Sequence, residues 1–128
     1  MKYKLVHTCI RVMDLEKSLQ FYTKALGLIE TERKDFKEYK FTLVYLTDEL
    51  GNFELELTYN YDMKAPYELG NGYSHLALIV EDLKSSYIRH RDMGYTVTDI
   101  KGLPGDPDKF YFVKDPDGYN IEIIREDK

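Results

Sequence analysis

An internal repeat is the feature of this sequence that most restricts its fold. Residues 7–15 have a counterpart in residues 75–83, where His, Asp and Leu recur at a constant offset of 68 positions. Each copy begins as an apolar strand, reaches an Asp suited to N-capping and continues with helical spacing. Because self-similarity at a fixed offset indicates a duplicated unit, the chain is predicted to contain two similar modules.

Three strand-like runs follow each predicted helix. They are residues 28–32, 41–46 and 53–59 in the first copy and 95–100, 110–113 and 119–124 in the second. These runs predict a βαβββ module in each copy, and hence an α+β fold. We expect a single domain, residues 1–128, made of two repeats at about 1–60 and 72–128 and joined by a linker that contains Pro and Gly.

Length and charge restrict the classes of function. A chain of 128 residues suits one compact domain. The 18 Lys and Arg residues against 23 Asp and Glu residues give a net charge of −5, which argues against nucleic acid or an anionic membrane as the main partner. No apolar run approaches the roughly 18 residues of a membrane helix, and no apolar leader is evident. Cys9 is the only cysteine, so no disulfide can form within the chain, which agrees with a reducing compartment. We therefore expect a cytoplasmic protein with a small-molecule ligand.

Residues able to bind a metal occupy equivalent positions in the two modules. His7 and His75 lie in the first predicted strands, and Glu56 and Glu122 lie in the last, at an offset of 66 positions. Side chains alternate along a strand, so each glutamate points away from its apolar neighbours, and a buried carboxylate needs a partner such as a metal ion. Mixed imidazole and carboxylate ligation suits Zn, Ni, Co, Fe or Mn. The repeat therefore predicts a metal site.

Other candidate residues carry weaker signals. His90 lies on the inner stripe of the second predicted helix, where a packed histidine is favoured over a ligand. Cys9 is expected to be a small buried residue, since the local sequence places no base beside it. Arg11 shares a strand face with His7, so an anion-binding role and an ordinary exposed position both stay open. Residues 101–109, rich in Gly and Pro, are predicted to form a loop that covers a site.

Over nearly its whole length the chain resembles the lactoylglutathione lyases (glyoxalase I) of the vicinal oxygen chelate superfamily. The Asp-Pro-Asp-Gly sequence at 115–118 marks the superfamily, whereas Glu-Leu-Thr-Tyr-Asn at 56–60 together with Tyr-Glu-Leu-Gly at 67–70 is far more specific to the lyase. The resemblance implies two βαβββ modules that form a half-open barrel. It also implies isomerisation of the methylglyoxal–glutathione hemithioacetal to S-lactoylglutathione through a metal-bound cis-enediolate, a reaction that detoxifies methylglyoxal.

The resemblance places the family's metal ligands at His7, Glu56, His75 and Glu122, the four residues that the repeat selects. Glu122 is expected to be the catalytic base, and Glu56 a ligand able to shuttle protons for the opposite hand of substrate. The resemblance implies a homodimer in which His7 and Glu56 meet His75 and Glu122 of the partner chain. The short chain resembles the nickel- or cobalt-activated class more than the zinc class, so nickel or cobalt is favoured and zinc is the alternative.

The substrate-binding residues follow from the same resemblance. Arg11 and Asn60 match positions that hold the glutathione part of the substrate. A basic residue from the late loop would grip a glutathione carboxylate, and Lys101 and Lys109 are equally placed in the sequence for that role. The late loop departs from the common pattern, which leaves the physiological thiol open, together with the range of 2-oxoaldehydes and the dimer geometry.

Two rival functions remain from the sequence alone. Another metalloenzyme of the superfamily, such as a dioxygenase or an epimerase, would use a different set of ligands; a dioxygenase iron typically takes two His and one carboxylate. A metal-free small-molecule sequestering protein, of the kind that traps antibiotics, would usually lack the four ligands that this chain has.

Overall fold

The protein is described by a computed structural model that covers residues 1–127. It consists of two compact units, Met1–Glu68 and Leu69–Lys128. Their boundary falls inside the linker predicted between the repeats. That the two units make one domain stays a prediction.

The first unit has the βαβββ order predicted for it. Its elements are β1 (His7–Val12), α1 (Leu15–Gln20), a π-helical segment (Phe21–Ala25), β2 (Ile29–Phe36), β3 (Phe41–Thr47) and β4 (Glu54–Asn60). The strands form one sheet in the order β1-β4-β3-β2, in which only β1 and β4 are parallel. The side chain of Asp14 caps α1 by accepting a hydrogen bond from the Lys17 amide at 3.1 Å, as its position in the repeat predicts.

The second unit repeats this plan. Its elements are β5 (Leu76–Val80), α2 (Leu83–Asp92), β6 (Lys101–Leu103), β7 (Asp106–Lys114) and β8 (Asn120–Arg125). The sheet order is β5-β8-β7-β6, with only β5 and β8 parallel. Asp82 caps α2 through the Ser85 amide at 3.0 Å. The two helices and eight strands of residues 1–127 confirm the predicted α+β class.

The Asp-Pro-Asp-Gly turn starts β8 as predicted. Asp115 accepts hydrogen bonds from the amides of Asp117 and Tyr119, both at 2.9 Å, and so holds the turn closed. Gly118 has φ +93°, a conformation that other residues rarely adopt. This turn places Glu122 at the third position of β8.

Two predictions for the second unit are wrong. Residues 95–100 form no strand and make only the isolated bridge Val97↔Val113. Residues 101–109 are not a loop, because β6 and β7 pair there as a tight hairpin. Its Gly and Pro residues serve the hairpin itself: Gly105 turns the chain at φ +87°, and a Cβ at Gly102 would collide with the backbone of Asp106 and Pro107. The second strand of this module therefore begins at residue 101 and not at residue 95, where the sequence pattern places it.

Each unit buries an apolar layer on one side of its sheet. In the first unit the buried apolar residues are Val12, Leu19, Phe21, Tyr22, Ala25, Val44, Leu46, Leu55 and Leu57. In the second unit they are Leu83, Tyr111, Val113, Tyr119, Ile121 and Ile123. The buried residues of β4 and β8 alternate with Glu56 and Glu122, which consequently lie on the other face of each sheet. Neither helix within residues 1–127 has the length and hydropathy that crossing a bilayer requires.

Candidate metal and substrate site

The first unit brings His7 and Glu56 together on neighbouring strands. Glu56 of β4 is in register with Cys9 of β1, so His7 lies two residues earlier on the same face. The Nε2 of His7 is 3.8 Å from the Oε2 of Glu56. The His7 side chain is 41% exposed and the Glu56 side chain only 12%. The pair is therefore accessible from the imidazole side, while the carboxylate is largely covered.

The second unit repeats this pair with His75 and Glu122. Glu122 of β8 is in register with Ala77 of β5, which again places the histidine two residues before the register partner. The Nε2 of His75 is 3.3 Å from the Oε1 of Glu122. The hydroxyl of Ser74 lies 2.8 Å from the Nδ1 of His75, the kind of second contact that fixes the ring of a metal-ligating histidine and leaves Nε2 for the metal.

An aromatic ring packs against each histidine at equivalent places. His7 meets Tyr45 of β3 edge-on, with ring centroids 5.9 Å apart. His75 meets Phe112 of β7 in the same way, at 5.2 Å. Sequence analysis missed both rings, although a register alignment of the third strands in the repeat would have found them. These edge contacts restrict the orientation of both imidazoles.

Glu56 lies between two polar register partners on its neighbouring strands. They are Cys9 of β1 and Tyr45 of β3. Burial acts to raise the pKa of Glu56, but the side chains of Tyr45, Cys9 and His7 favour its ionised form and outweigh burial, so the pKa lies below its usual value. The neighbouring Glu56 carboxylate, with burial adding to its effect, raises the pKa of Tyr45 to about 12. Glu56 is therefore held in its ionised form.

Cys9 does not occupy the buried position expected for it. The residue is exposed, because it lies on the polar face of β1 with His7. Its sulfur nevertheless sits against Thr58, whose hydroxyl is 3.1 Å away, and partial burial raises the pKa of the thiol. A raised pKa disfavours the thiolate, which agrees with the expectation that Cys9 is not a nucleophile.

The donor chemistry of both pairs fits a divalent metal. An imidazole nitrogen and a carboxylate oxygen lie 3.8 Å apart in one unit and 3.3 Å apart in the other. Two ligand atoms that each lie about 2.0–2.2 Å from the same ion are separated by distances of this size. Each pair provides two donors; among residues 1–127 no group of three or more His, Cys, Asp or Glu side chains is arranged to hold an ion.

Two of the predicted substrate residues, Arg11 and Asn60, lie in the first unit. Arg11 is an exposed residue of β1 in register with Thr58, two positions beyond Cys9. Asn60 ends β4, and its amide nitrogen donates to the Tyr67 hydroxyl at 2.9 Å. Arg11 and Asn60 thus belong to the same sheet as His7 and Glu56.

The two candidate lysines of the second unit differ in their contacts. Lys109 of β7 donates to the carbonyl of Arg125 at 3.3 Å and pairs with the carboxylate of Asp127. Lys101 is an exposed residue of β6. The ammonium of Lys109 is thus engaged at the carboxyl end of β8.

The packed role predicted for His90 is confirmed. The residue is 2% exposed, and its Nδ1 lies 2.7 Å from the hydroxyl of Tyr111. That hydroxyl is also 2.6 Å from the Oγ of Ser86. The sequence pattern did not indicate Tyr111 or Ser86, because helical and strand periodicity say only that their positions face inward.

Comparison with known proteins identifies the family. The family model that describes the Glyoxalase/Bleomycin resistance protein/Dioxygenase superfamily matches residues 4–123. The chain is 42% identical over 125 residues to the lactoylglutathione lyase of Neisseria meningitidis serogroup A, covering 95% of this chain and 90% of the relative. It is 40% identical over 126 residues to the lactoylglutathione lyase of Escherichia coli O157:H7, covering 96% and 93%.

A solved structure agrees with these relatives. The trypanothione-dependent glyoxalase I of Leishmania major matches with a TM-score of 0.85 and 38% identity, covering 98% of this chain and 88% of that one. The predicted glyoxalase-like fold and the predicted lyase are thereby confirmed, and the family implies a divalent metal. None of the three relatives is named as a dioxygenase, an epimerase or a sequestering protein. By its family model, its relatives and its fold, this chain belongs to the Glyoxalase/Bleomycin resistance protein/Dioxygenase superfamily.

Proposed function

We propose that this protein is a metal-dependent lactoylglutathione lyase that isomerises the methylglyoxal–glutathione hemithioacetal to S-lactoylglutathione. The observation that carries the proposal is the His–carboxylate pair repeated in the same register in both units. The lyase names of relatives at about 40% identity support it. A cytoplasmic location is part of the same proposal.

The proposed metal ligands are His7, Glu56, His75 and Glu122. Each unit supplies one imidazole and one carboxylate, and we propose that the pairs combine between the two chains of a homodimer. Nickel or cobalt is the favoured ion, and zinc is the alternative. When bound, the ion would withdraw electron density from the two neighbouring oxygens of the substrate and so acidify the adjacent carbon–hydrogen bond.

The remaining chemistry is a proton transfer by a carboxylate of this chain. Glu122 takes the proton from the carbon that bears sulfur, and the electron pair of that bond forms the double bond of an enediolate. The proton returns to the neighbouring carbon. The oxygen beside sulfur loses its hydroxyl proton and becomes the thioester carbonyl, while the oxygen on the neighbouring carbon gains a proton, so there is no net change of oxidation state. Glu56 serves as a ligand beside His7, whose Nε2 is 3.8 Å from its carboxylate.

The thiol part of the substrate is assigned to three residues. Arg11 offers a guanidinium that can pair with a carboxylate, and Asn60 offers an amide at the end of β4. We assign the further basic contact to Lys101, since the ammonium of Lys109 pairs with Asp127. Glutathione is the proposed thiol. The Leishmania major relative is described as trypanothione-dependent, so trypanothione is the second thiol to test.

The test is thioester formation by metal-stripped protein after a single metal is added back. Methylglyoxal is premixed with glutathione, and nickel, cobalt or zinc is supplied in turn. We expect nickel or cobalt to restore activity best. If no metal restores activity with glutathione or with trypanothione, the proposed function is wrong and a sequestering protein becomes the better hypothesis.

Substitution of the proposed ligands separates the lyase from a metal-free binding protein. Glu122→Gln and Glu56→Gln should each reduce turnover by at least about 100-fold, since a base or a ligand is lost. Glu54→Gln is a matched control on the same face of β4, where the Thr31 hydroxyl donates to the Glu54 carboxylate at 2.6 Å. Full activity in both ligand variants would contradict the proposal.

A further inference from the structure

The two histidines of the repeated pairs lie differently at the starts of their strands. His7 is the first residue of β1 and pairs with Glu54 in the parallel ladder of the first unit. The corresponding ladder of the second unit begins one residue later in the repeat, at the pair Leu76↔Ile121. His75 therefore lies just before the ladder of β5, whereas its counterpart in the first unit lies within the ladder of β1.

The hydroxyl of Tyr73 occupies the place of the ladder bond beside His75. In a regular parallel ladder, the amide after the paired residue donates directly to the carbonyl of its partner. Here the amide of Leu76 donates to the Tyr73 hydroxyl at 3.1 Å, and that hydroxyl donates to the carbonyl of Asn120 at 2.9 Å. Asn120 starts β8, two positions before Glu122. The phenol therefore bridges the two strands that carry the His75–Glu122 pair.

Packing holds the Tyr73 ring in this position. The residue is half-buried, and its ring meets the ring of Tyr119 edge-on, with centroids 5.2 Å apart. Tyr119 is itself buried, and its amide donates to the carboxylate of Asp115 at 2.9 Å, within the turn that starts β8. Edge contacts of this kind restrict the orientation of a ring. The bridging hydroxyl is consequently anchored to the turn that places Glu122.

The first unit has a different residue at the position equivalent to Tyr73. At the offset of 68 positions this residue is Leu5, which is 83% exposed and has no hydroxyl. The imidazole of His75 is contacted by the hydroxyl of Ser74 at its Nδ1, 2.8 Å away, and by the ring of Phe112. These two contacts orient the ring, whereas the phenol of Tyr73 fixes the adjoining backbone.

We propose that Tyr73 is a positioning residue that bridges β5 and β8 beside His75 and so sets the separation of His75 and Glu122 for a divalent metal. The inference rests on the proposed function, which takes both residues as ligands. Their Nε2 and Oε1 atoms are 3.3 Å apart. Without the hydroxyl, the Leu76 amide and the Asn120 carbonyl each lose a partner, and the backbone next to His75 is free to shift. Loss of a contact that positions a ligand typically weakens metal binding by about 10–100-fold.

Nickel binding to metal-stripped protein, measured by calorimetry, tests this role without turnover. Tyr73→Phe keeps the ring and removes the bridging hydroxyl, and we expect nickel affinity to fall by about 10-fold or more. Tyr111→Phe is the matched control, because it also removes a hydroxyl with two partners in the same unit, Ser86 at 2.6 Å and His90 at 2.7 Å. We expect its affinity to equal that of the unmodified protein. Equal affinities in the two variants, whether unchanged or both reduced, overturn the inference.

Imidazole NMR signals locate the effect within the molecule. The chain has three histidines, so each ring can be followed separately in metal-stripped protein. We expect Tyr73→Phe to shift the signals of His75 and to leave those of His7 and His90 in place. Tyr111→Phe should shift the signals of His90 and leave those of His75. Unchanged His75 signals in Tyr73→Phe would show that the phenol does not set the position of this histidine.

Thioester formation at varied nickel concentration separates this inference from the proposed function. For Tyr73→Phe, the nickel concentration that gives half-maximal activity should rise by about 10-fold, while KM for the hemithioacetal at saturating nickel stays unchanged. A raised KM at saturating nickel would mean that Tyr73 acts on substrate binding, which overturns the inference. Nickel binding without thioester formation in the unmodified protein would refute the proposed lyase alone, because the affinity comparison still decides the role of Tyr73. Failure of the unmodified protein to bind nickel, cobalt or zinc would refute both.

Discussion

Tyr111→Phe should destabilise the second unit through one buried hydroxyl. Tyr111 is 0% exposed, and its hydroxyl joins Ser86 at 2.6 Å to His90 at 2.7 Å. Phenylalanine keeps the ring and removes both bonds, so the buried His90 and the half-buried Ser86 each lose a partner. Such a loss costs about 1–3 kcal/mol in the free energy of unfolding.

Urea denaturation at a fixed protein concentration measures this cost, because any assembly of chains makes apparent stability concentration-dependent. Ser86→Ala and the double variant complete a cycle, and we expect the two effects to be non-additive because they share one hydroxyl. Tyr87→Phe is the control, since its ring contact with Tyr111, at 5.5 Å between centroids, is kept. A change below about 0.5 kcal/mol in Tyr111→Phe, similar to an ordinary surface substitution, would refute the reasoning.

Three further predictions concern packing, substrate contact and pH. Leu57→Ala removes a fully buried side chain beside Glu56 and should lower the free energy of unfolding by about 2–5 kcal/mol, measured by urea denaturation. A much smaller loss would mean that the core beneath His7 and Glu56 is not tightly packed. Lys101→Ala should raise KM and leave stability unchanged, whereas Lys109→Ala should lower stability and leave KM unchanged, because the ammonium of Lys109 pairs with Asp127. Steady-state kinetics and thermal unfolding distinguish the two variants, and the opposite result would assign the substrate contact to Lys109. The pKa of Tyr45 is raised to about 12, so its contribution to stability is complete below the unfolded value of 10.0 and is lost as pH rises through 12. In thermal unfolding measured across this pH range, the Tyr45→Phe variant should therefore lose less stability than the unmodified protein. Parallel curves of stability against pH for the two proteins would contradict this.

The sequence predicted most of the secondary structure because the signals are local. Asp14 and Asp82 cap their helices where the repeat places them, and Gly118 turns the chain into β8. Local signals failed for residues 95–100, which were predicted to be a strand and form none, and for residues 101–109, where Gly and Pro indicated a loop although a hairpin forms. A tight turn and a flexible loop use the same residues, and strand pairing decides between them.

The sequence by itself determined which side chains share a face. His7 with Cys9, and Glu56 with Thr58, follow from the two-residue period of a strand, and the repeat extended the pattern to His75 and Glu122. Their roles as metal ligands stay a prediction. The two-residue period does not specify how deeply a side chain is buried. Cys9 was expected to be buried, and it is exposed.

Only the tertiary structure decided which side chains from distant strands meet. The ring contact of Tyr45 with His7, the bond of Tyr111 to His90 and the pairing of Lys109 with Asp127 each join residues that are far apart in the sequence. Such contacts depend on strand register and on the packing of α2 against β7, which arise from the sum of many weak interactions along the whole chain. A local sequence pattern contains no information about that register, and so it could not identify these contacts.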